Sequence, residues 1–356
     1  MAQSRLEAFF LREWAHASAW QIVLQPLSWG YAFATMVRRA LYRLGVLHRR
    51  RVGVPVIVVG NVSVGGTGKT PVVIALCLWL KRRGFKPGVV SRGYVRGAAK
   101  TLDGTLVRRN PAQPAADAEC DEADLIAGRT GVTVSIHRDR VVAAQRLLAS
   151  DPSINIIVCD DGLQHYALER DLEIAVVDGS RGFGNGALLP AGPLREPVWR
   201  LFEADAVVVN GSGRRFKQAM PEMFAITLGN ERFVPVRGGA EVGIEAFREQ
   251  AAQKRIHALA GIGNPGRFFS QVHRMGLVTR DHVFDDHHVY SKHDIALPDA
   301  DIVLMTEKDA VKCRSFADAR HWFMRVDAMM PDAFFAKVAK RLEEKRKDHG
   351  HRPKTA

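Results

Sequence analysis

The sequence predicts an α/β chain. Its elements are a mainly parallel sheet covered by helices on both faces, a second and smaller α/β domain, and an amino-terminal helix that associates with a membrane. Three observations predict this. After residue 50, short and nearly continuous Val- and Ile-rich runs alternate with helical stretches, the pattern of strands buried on both faces. At 356 residues the chain is longer than one ordinary core organises. From Ala15 to Val37 there is no Asp, Glu, Lys or Arg.

Composition narrows the partners. An apolar share of 47% with 25% charged residues belongs to a folded protein and excludes a disordered one. Lys and Arg total 51 against 38 acidic residues, a net charge of +13 that calls for an anionic partner. Nucleic acid, a membrane surface and a phosphorylated substrate all satisfy that demand. The four cysteines form no C-x-x-C pair, so neither a disulfide framework nor a thiolate zinc site is expected.

The amino-terminal segment, residues 1–50, comes first. Its uncharged run is long enough to cross a bilayer, which takes about 20 residues. Trp14, Trp20, Trp29 and Tyr31 lie along it, side chains suited to the lipid–water interface. Arg38, Arg39, Arg43, Arg49, Arg50 and Arg51 follow, and positive-inside bias puts everything downstream in the cytoplasm. Gln21, Gln25 and Pro26 lower the hydrophobicity. Three readings stay open: a helix lying in the interface, a single span, or a helix of a soluble core. Arg5, Glu7, Arg12 and Glu13 make a poor signal-peptide start.

The next domain is expected over residues 51–235. Buried strands are predicted at Pro55–Gly60, Gly88–Ser91, Ile154–Cys159, Ile174–Asp178 and Ala206–Asn210. The first runs into Asn61-Val62-Ser63-Val64-Gly65-Gly66-Thr67-Gly68-Lys69-Thr70, and Pro71 opens an apolar helix. Strand, glycine-rich loop, Lys-Thr and helix is the arrangement a nucleoside triphosphate requires, so the domain is P-loop NTPase-like. Gly65, Gly66, Thr67 and Gly68 let backbone N–H groups approach phosphate oxygens at a helix amino terminus. Lys69 can reach the β- and γ-oxygens, and the Thr70 hydroxyl can bind Mg²⁺. The strict pattern wants glycine at 63, where this chain has Ser63.

Asp160 and Asp161 end the Ile154–Cys159 run. Carboxylates at a strand end beside a phosphate loop hold Mg²⁺ directly or through water, although a helix cap is the plainer alternative. Asp121-Glu122 reads on its own as a solvated helix start. Asp285-Asp286-His287-His288 fits a metal site, a proton-relaying His or a plain polar loop. The stretch from Gly182 to Pro197 is too rich in Gly and Pro for a regular element, and Arg195 within it can steady phosphate charge.

A second α/β domain is expected over 236–345. Its strands are predicted at Arg255–Ala260, Ile302–Thr306 and Trp322–Val326. The charged tail from Lys340 is expected to fray, with 346–356 disordered.

Taken in order, several segments resemble the tetraacyldisaccharide 4'-kinase family of lipid A biosynthesis. They are Gly60-Asn61 with Gly65 to Pro71, Ser91-Arg92-Gly93-Tyr94, Asp121-Glu122, Asp160 to His165, Leu189 to Pro197, Phe284 to His287, and Thr306-Glu307-Lys308-Asp309. The resemblance implies a kinase dependent on ATP and Mg²⁺ at the cytoplasmic face of a Gram-negative inner membrane. It would phosphorylate the 4'-hydroxyl of an acylated glucosamine disaccharide 1-phosphate. By the same resemblance Lys69 and Thr70 hold phosphates and Mg²⁺, and Asp160 and Asp161 organise the metal. Asp121 with His287 forms a dyad that assists deprotonation. Ser91, Arg92, Arg195 and Glu196 fall on active-site loops. His287 is preferred to His288 because the family places the His directly after Asp.

The alternative is a P-loop GTPase or metallochaperone regulator. Thr306-Glu307-Lys308-Asp309 is superficially close to an N/T-K-x-D guanine loop, but its Lys stands one place late. No nucleic-acid partner is expected, because the densest arginines follow the membrane-like segment instead of interleaving with aromatics. No obligate protein partner is predicted.

Overall fold

The computed structural model describes residues 10, 12–16, 19–92, 106–107, 121–211, 220–286 and 288–350. In chain order the elements begin with α1 (Ala19–Arg43), β1 (Val56–Gly60), α2 (Lys69–Arg82), β2 (Pro87–Ser91), β3 (Leu106–Val107), α3 (Asp121–Thr130) and β4 (Val134–Ile136). Next come α4 (Arg140–Ser150), β5 (Ile156–Asp160), β6 (Leu172–Asp178), a 3₁₀ helix (Val198–Glu203), β7 (Ala206–Asn210) and β8 (Met223–Pro235). The chain finishes with α5 (Ile244–Ala251), β9 (Ile256–Ala260), α6 (Pro265–Arg274), β10 (Thr279–Val283), α7 (Lys292–Ile295), β11 (Ile302–Thr306), α8 (Glu307–Cys313), β12 (His321–Met329) and α9 (Asp332–Gly350).

Two compact units are built from these. The first takes Met1–Arg92, His137–Thr227 and Met329–Ala356; the second takes Gly93–Ile136 and Leu228–Ala328.

In the first unit β1 lies between β5 and β6, with β2 beyond β5 and β7 beyond β6, all parallel. Every residue of β1, β2, β5 and β7 is buried, which is why these segments read as unbroken apolar runs. Val58, Val90, Leu147, Ile157 and Cys159 pack into one core cluster, and Val62, Leu163, Ala175, Val177, Leu201 and Val209 into another. Each such aliphatic side chain contributes about 1.5–3 kcal/mol on burial. The register sets Val59 beside Asp160 and Gly60 beside Ala175, so β1 and β5 end level where the phosphate loop begins, while β6 runs on to Asp178.

Helix α1 contains Pro26 and keeps an uncharged outer face as far as Val37. Trp20, Ile22, Val23, Leu27, Trp29, Phe33 and Met36 are each at least half exposed, while Ser28 and Arg39 are buried. Its inner face is tied down by hydrogen bonds: Ser28 Oγ donates to the Leu188 carbonyl at 2.9 Å, and Tyr31 to the Arg195 carbonyl at 3.0 Å. Among the described residues, no helix is long and apolar enough to cross a membrane.

In the second unit β10, β9, β11 and β12 run parallel in that order. Its core includes Phe233 stacked on Phe247 with ring centres 4.0 Å apart. Strand β10 was not expected, because Thr-Arg-Asp-His-Val lacks apolar alternation. It occupies the edge of the sheet, where solvent tolerates polar side chains on both faces.

Two expectations about organisation are corrected. The carboxy-terminal helix belongs with the first unit, not with a continuous second domain over 236–345. Phe335 stacks on Trp79 at 5.2 Å and Phe334 meets Phe224 edge-on at 5.6 Å, so two large aromatic side chains dock α9 there. The charged segment from Lys340, expected to fray, is helical to Gly350. Its Lys, Arg and Glu residues propagate a helix well once the aromatic end is fixed. Residues 351–356 lie outside those described. Cys77, Cys159 and Cys313 are buried, and burial pushes the first two thiols up to about 12 and about 11.

Candidate active site

Strand β1 delivers the chain at Gly60 into the phosphate loop, and α2 starts at Lys69. Gly65 and Gly68 have φ of 94° and 86°, a left-handed conformation that L side chains adopt only at a cost. Ser63 needs no such freedom: it forms an antiparallel bridge with Leu194, and the Val64 N–H donates to the Pro193 carbonyl at 2.8 Å. The departure from the strict glycine pattern is thereby explained. It also gives the Gly- and Pro-rich stretch a role, since Arg195 N–H donates back to the Val62 carbonyl at 2.7 Å. The stretch is stitched to the phosphate loop.

From the end of β7, Asn210 Nδ2 donates to the Thr67 carbonyl at 3.2 Å. A Cβ built on Gly68 would lie only 2.2 Å from that nitrogen, so glycine is required there twice over. Gln164 Nε2 donates to the Asn61 carbonyl at 2.9 Å. Neither Asn210 nor Gln164 stood among the sequence-level candidates. A lone polar residue closing an apolar strand was the available signal for Asn210.

Asp161 gathers the cations. Lys69 Nζ lies 3.4 Å from Oδ1, and Arg195 Nη1 lies 3.1 Å from Oδ2 and 3.3 Å from Oδ1. Arg140 Nη2 donates to the Asp161 carbonyl at 3.1 Å. Burial works against the charged carboxylate, but Lys69 and Arg195, helped by Arg140, outweigh it and hold Asp161 down to about 2. Its φ of 49° is unusual for a residue with a side chain, and such strain is a recurrent feature of functional sites. Asp160, buried at the end of β5, opens the same turn.

The donors suit the expected ligands. Thr70 and Asp160 offer only oxygen, the preference of a hard cation such as Mg²⁺. Within the loop the Thr67 hydroxyl is buried with no hydrogen-bond partner among the described residues, as are both polar atoms of the Asn61 amide.

The flanking residues divide. Ser91 is buried at the end of β2, where its carbonyl accepts from the His137 N–H at 3.2 Å, and Arg92 is exposed. Glu196 is buried and accepts from the Tyr166 hydroxyl at 2.7 Å, beside Arg200 Nε at 3.3 Å. It braces the loop from within. His165 lies 3.4 Å from Asp139, and its Nε2 accepts from the Arg140 N–H at 3.3 Å. Burial and the Arg140 charge push the ring down to about 4, so it is neutral at physiological pH.

In the second unit, Asp121 is the first residue of α3; its side chain and the whole of His287 lie outside the described structure. The residues next to them are placed. Lys308 Nζ is 3.3 Å from Glu122 and 3.8 Å from Asp286. His288 packs against Phe284 and Tyr290 at 4.7 and 4.8 Å between ring centres. The Thr306-to-Asp309 segment caps α8: Thr306 accepts from the Asp309 N–H, and the buried Asp309 carboxylate accepts from the Gly261 N–H at 3.0 Å. A guanine-reading Asp must face its ligand; this one is fully buried and tied to backbone. The GTPase-type alternative is not favoured.

Comparison with known proteins agrees. The family described as Tetraacyldisaccharide-1-P 4'-kinase matches residues 20–343. The tetraacyldisaccharide 4'-kinase of Methylobacillus flagellatus is 44% identical over 336 residues, covering 93% of this chain and 95% of that one. That of Hahella chejuensis is 43% identical over 344 residues, covering 95% and 98%. The crystal structure of LpxK from Aquifex aeolicus in complex with ATP superposes with a TM-score of 0.73 at 27% identity, covering 91% of this chain and 98% of that one. With strand, glycine loop, Lys69 and paired aspartates in place, the chain belongs to the tetraacyldisaccharide 4'-kinase family, ATP-dependent kinases of lipid A biosynthesis that transfer phosphate to a hydroxyl group.

Proposed function

We propose that the backbone of Gly65 to Thr70 holds the triphosphate of ATP, with Lys69 on its β- and γ-oxygens. Thr70 and Asp160 would hold Mg²⁺, which supplies neutralisation of phosphate charge when bound. The observation that carries this reading is the convergence of Lys69 and Arg195 on Asp161 beside the loop. The three charges preset the electrostatics into which an anionic phosphoryl group fits.

The acceptor is the 4'-hydroxyl of an acylated glucosamine disaccharide 1-phosphate. Its oxygen attacks the γ-phosphorus, the bond to the β-γ bridging oxygen breaks, and ADP leaves. Asp121 with His287 takes the hydroxyl proton. Packing of His288 among Phe284 and Tyr290 supports giving that part to His287. A proton acceptor of this kind contributes about 10²–10⁴-fold.

The enzyme works at the cytoplasmic face of the inner membrane, with the uncharged outer face of α1 lying in the lipid interface. A cavity of about 460 Å³ between α1 and the 3₁₀ helix is lined by Trp29, Val198, Trp199 and Phe202 among others, and suits an acyl chain.

The test is incubation with γ-labelled ATP, Mg²⁺ and the tetraacylated disaccharide 1-phosphate. Label is expected on the lipid with the native chain and absent with Lys69→Ala. A native preparation that binds nucleotide yet leaves the lipid unlabelled would overturn the reading.

A further inference from the structure

Arg181 follows β6 on a turn that is fixed from behind. The Asp178 carboxylate accepts from the N–H and hydroxyl of Ser180 and from the Arg181 N–H at 3.2 Å, while Gly182 N–H donates to the Asp178 carbonyl at 2.8 Å. The side chain reaches from this turn over the crown of the phosphate loop. A Cβ built on Gly65 would lie 3.0 Å from Nη1, 3.3 Å from Nη2 and 3.5 Å from Cζ. The guanidinium therefore presents both terminal nitrogens to the loop, and glycine at 65 leaves the room they occupy. Ser63, Val64, Thr67 and Arg181 share the walls of one recess of about 170 Å³.

The charge of Arg181 is also differently placed from that of its neighbours. Lys69 and Arg195 both share the Asp161 carboxylate. Among the described residues, no carboxylate lies in ion-pair range of Arg181. A guanidinium aimed at a phosphate loop, held on a rigid turn and with no described carboxylate in ion-pair range, matches what a transferring phosphoryl group demands. Phosphoryl transfer depends on positioning and charge neutralisation, and a forked cation meets phosphate oxygens two at a time.

We propose that Arg181 is a catalytic residue of the kinase reaction, an arginine supplied in cis whose fork contacts the transferring phosphoryl group. It acts on charge that develops in the transition state, so it governs kcat more than ATP affinity. This rests on the proposed placement of ATP on the Gly65–Thr70 loop.

The experiment measures steady-state transfer and equilibrium ATP binding for the native chain, Arg181→Ala and Arg181→Lys, with and without added guanidinium chloride at millimolar concentration. For Arg181→Ala, kcat should fall by about 10²–10³-fold, the scale of one preorganised transition-state donor. ATP affinity should stay within about fivefold, and guanidinium should restore a measurable part of kcat. Arg181→Lys should fall between, because an ammonium keeps the charge but loses the fork. The inference is overturned if Arg181→Ala keeps kcat within about threefold of native. It is equally overturned if kcat falls together with ATP binding and guanidinium restores neither, the signature of a brace for the loop. A native chain that leaves the lipid unlabelled would instead sink the underlying reading, so the two failures are distinct.

Discussion

The Asn210 amide donates to the Thr67 carbonyl at 3.2 Å, and its nitrogen stands where a side chain on Gly68 would begin. The end of β7 thus holds the phosphate loop at a residue whose own hydroxyl is buried. Asn210→Ala leaves the Thr67 carbonyl unsatisfied in a buried setting, a cost of about 1–3 kcal/mol. ATP affinity is expected to weaken by about tenfold or more, with a modest fall in Tm. Equilibrium dialysis with labelled nucleotide checks this; native affinity in the variant would contradict the tether.

Asp161 is held ionised by Lys69 and Arg195, down to about 2. Asp161→Asn should cut kcat by at least about 100-fold, since the two cations lose the anion that orders them. Because the native group does not titrate between pH 4 and 9, the residual activity should keep the native pH profile. A shifted acid limb would show that Asp161 titrates in the working range.

His165 carries a stability prediction with a definite sign. Its folded pKa, about 4, is below the ordinary 6.5, so the unfolded chain binds the extra proton as pH falls. The contribution of the neutral ring is fully present above pH 6.5 and is lost as pH falls from 6.5 toward 4. His165→Gln should flatten that part of the stability curve, measured by urea denaturation across pH 4–7. An unchanged slope would mean that other groups produce it.

Arg200 has a side chain only 2% exposed, between Glu173 and Glu196. Arg200→Ala leaves the buried Glu196 with the Tyr166 hydroxyl and the partly buried Glu173 with Arg170, and is expected to destabilise the chain by about 3 kcal/mol. A denaturation midpoint near native would show that solvent reaches this network.

Leu27 and Phe33 are 63% and 64% exposed on α1. The double variant Leu27→Asp with Phe33→Asp should stay within about 0.5 kcal/mol of native stability, as exposed substitutions do. Its binding to anionic phospholipid vesicles should fall by at least about tenfold. Equal vesicle binding in variant and native chains would remove α1 from the membrane contact.

Much of the site was readable along the chain because it is local. Gly65 to Thr70 lie within one turn of the strand and helix that flank them, and a mononucleotide loop needs those residues in that order. The buried strands announced themselves because a sheet covered on both faces admits only apolar side chains. Other features have no local signature. Arg195 meets Asp161 from 34 residues away, and Asn210 meets Thr67 from 143 away. The polar edge strand β10 escaped for the opposite reason, since its side chains answer to solvent instead of a core.

By itself, then, the order of residues determined the chemistry at hand: a phosphate loop, an acidic turn after a buried strand, and an uncharged aromatic helix ahead of an arginine cluster. Tertiary structure alone decided which cations share Asp161, why Ser63 replaces a glycine, and that α9 returns to the first unit. The physical reason is range. Backbone conformation and side-chain periodicity act over a few residues, whereas charge pairing and close packing are settled between segments that only the folded sheet brings together.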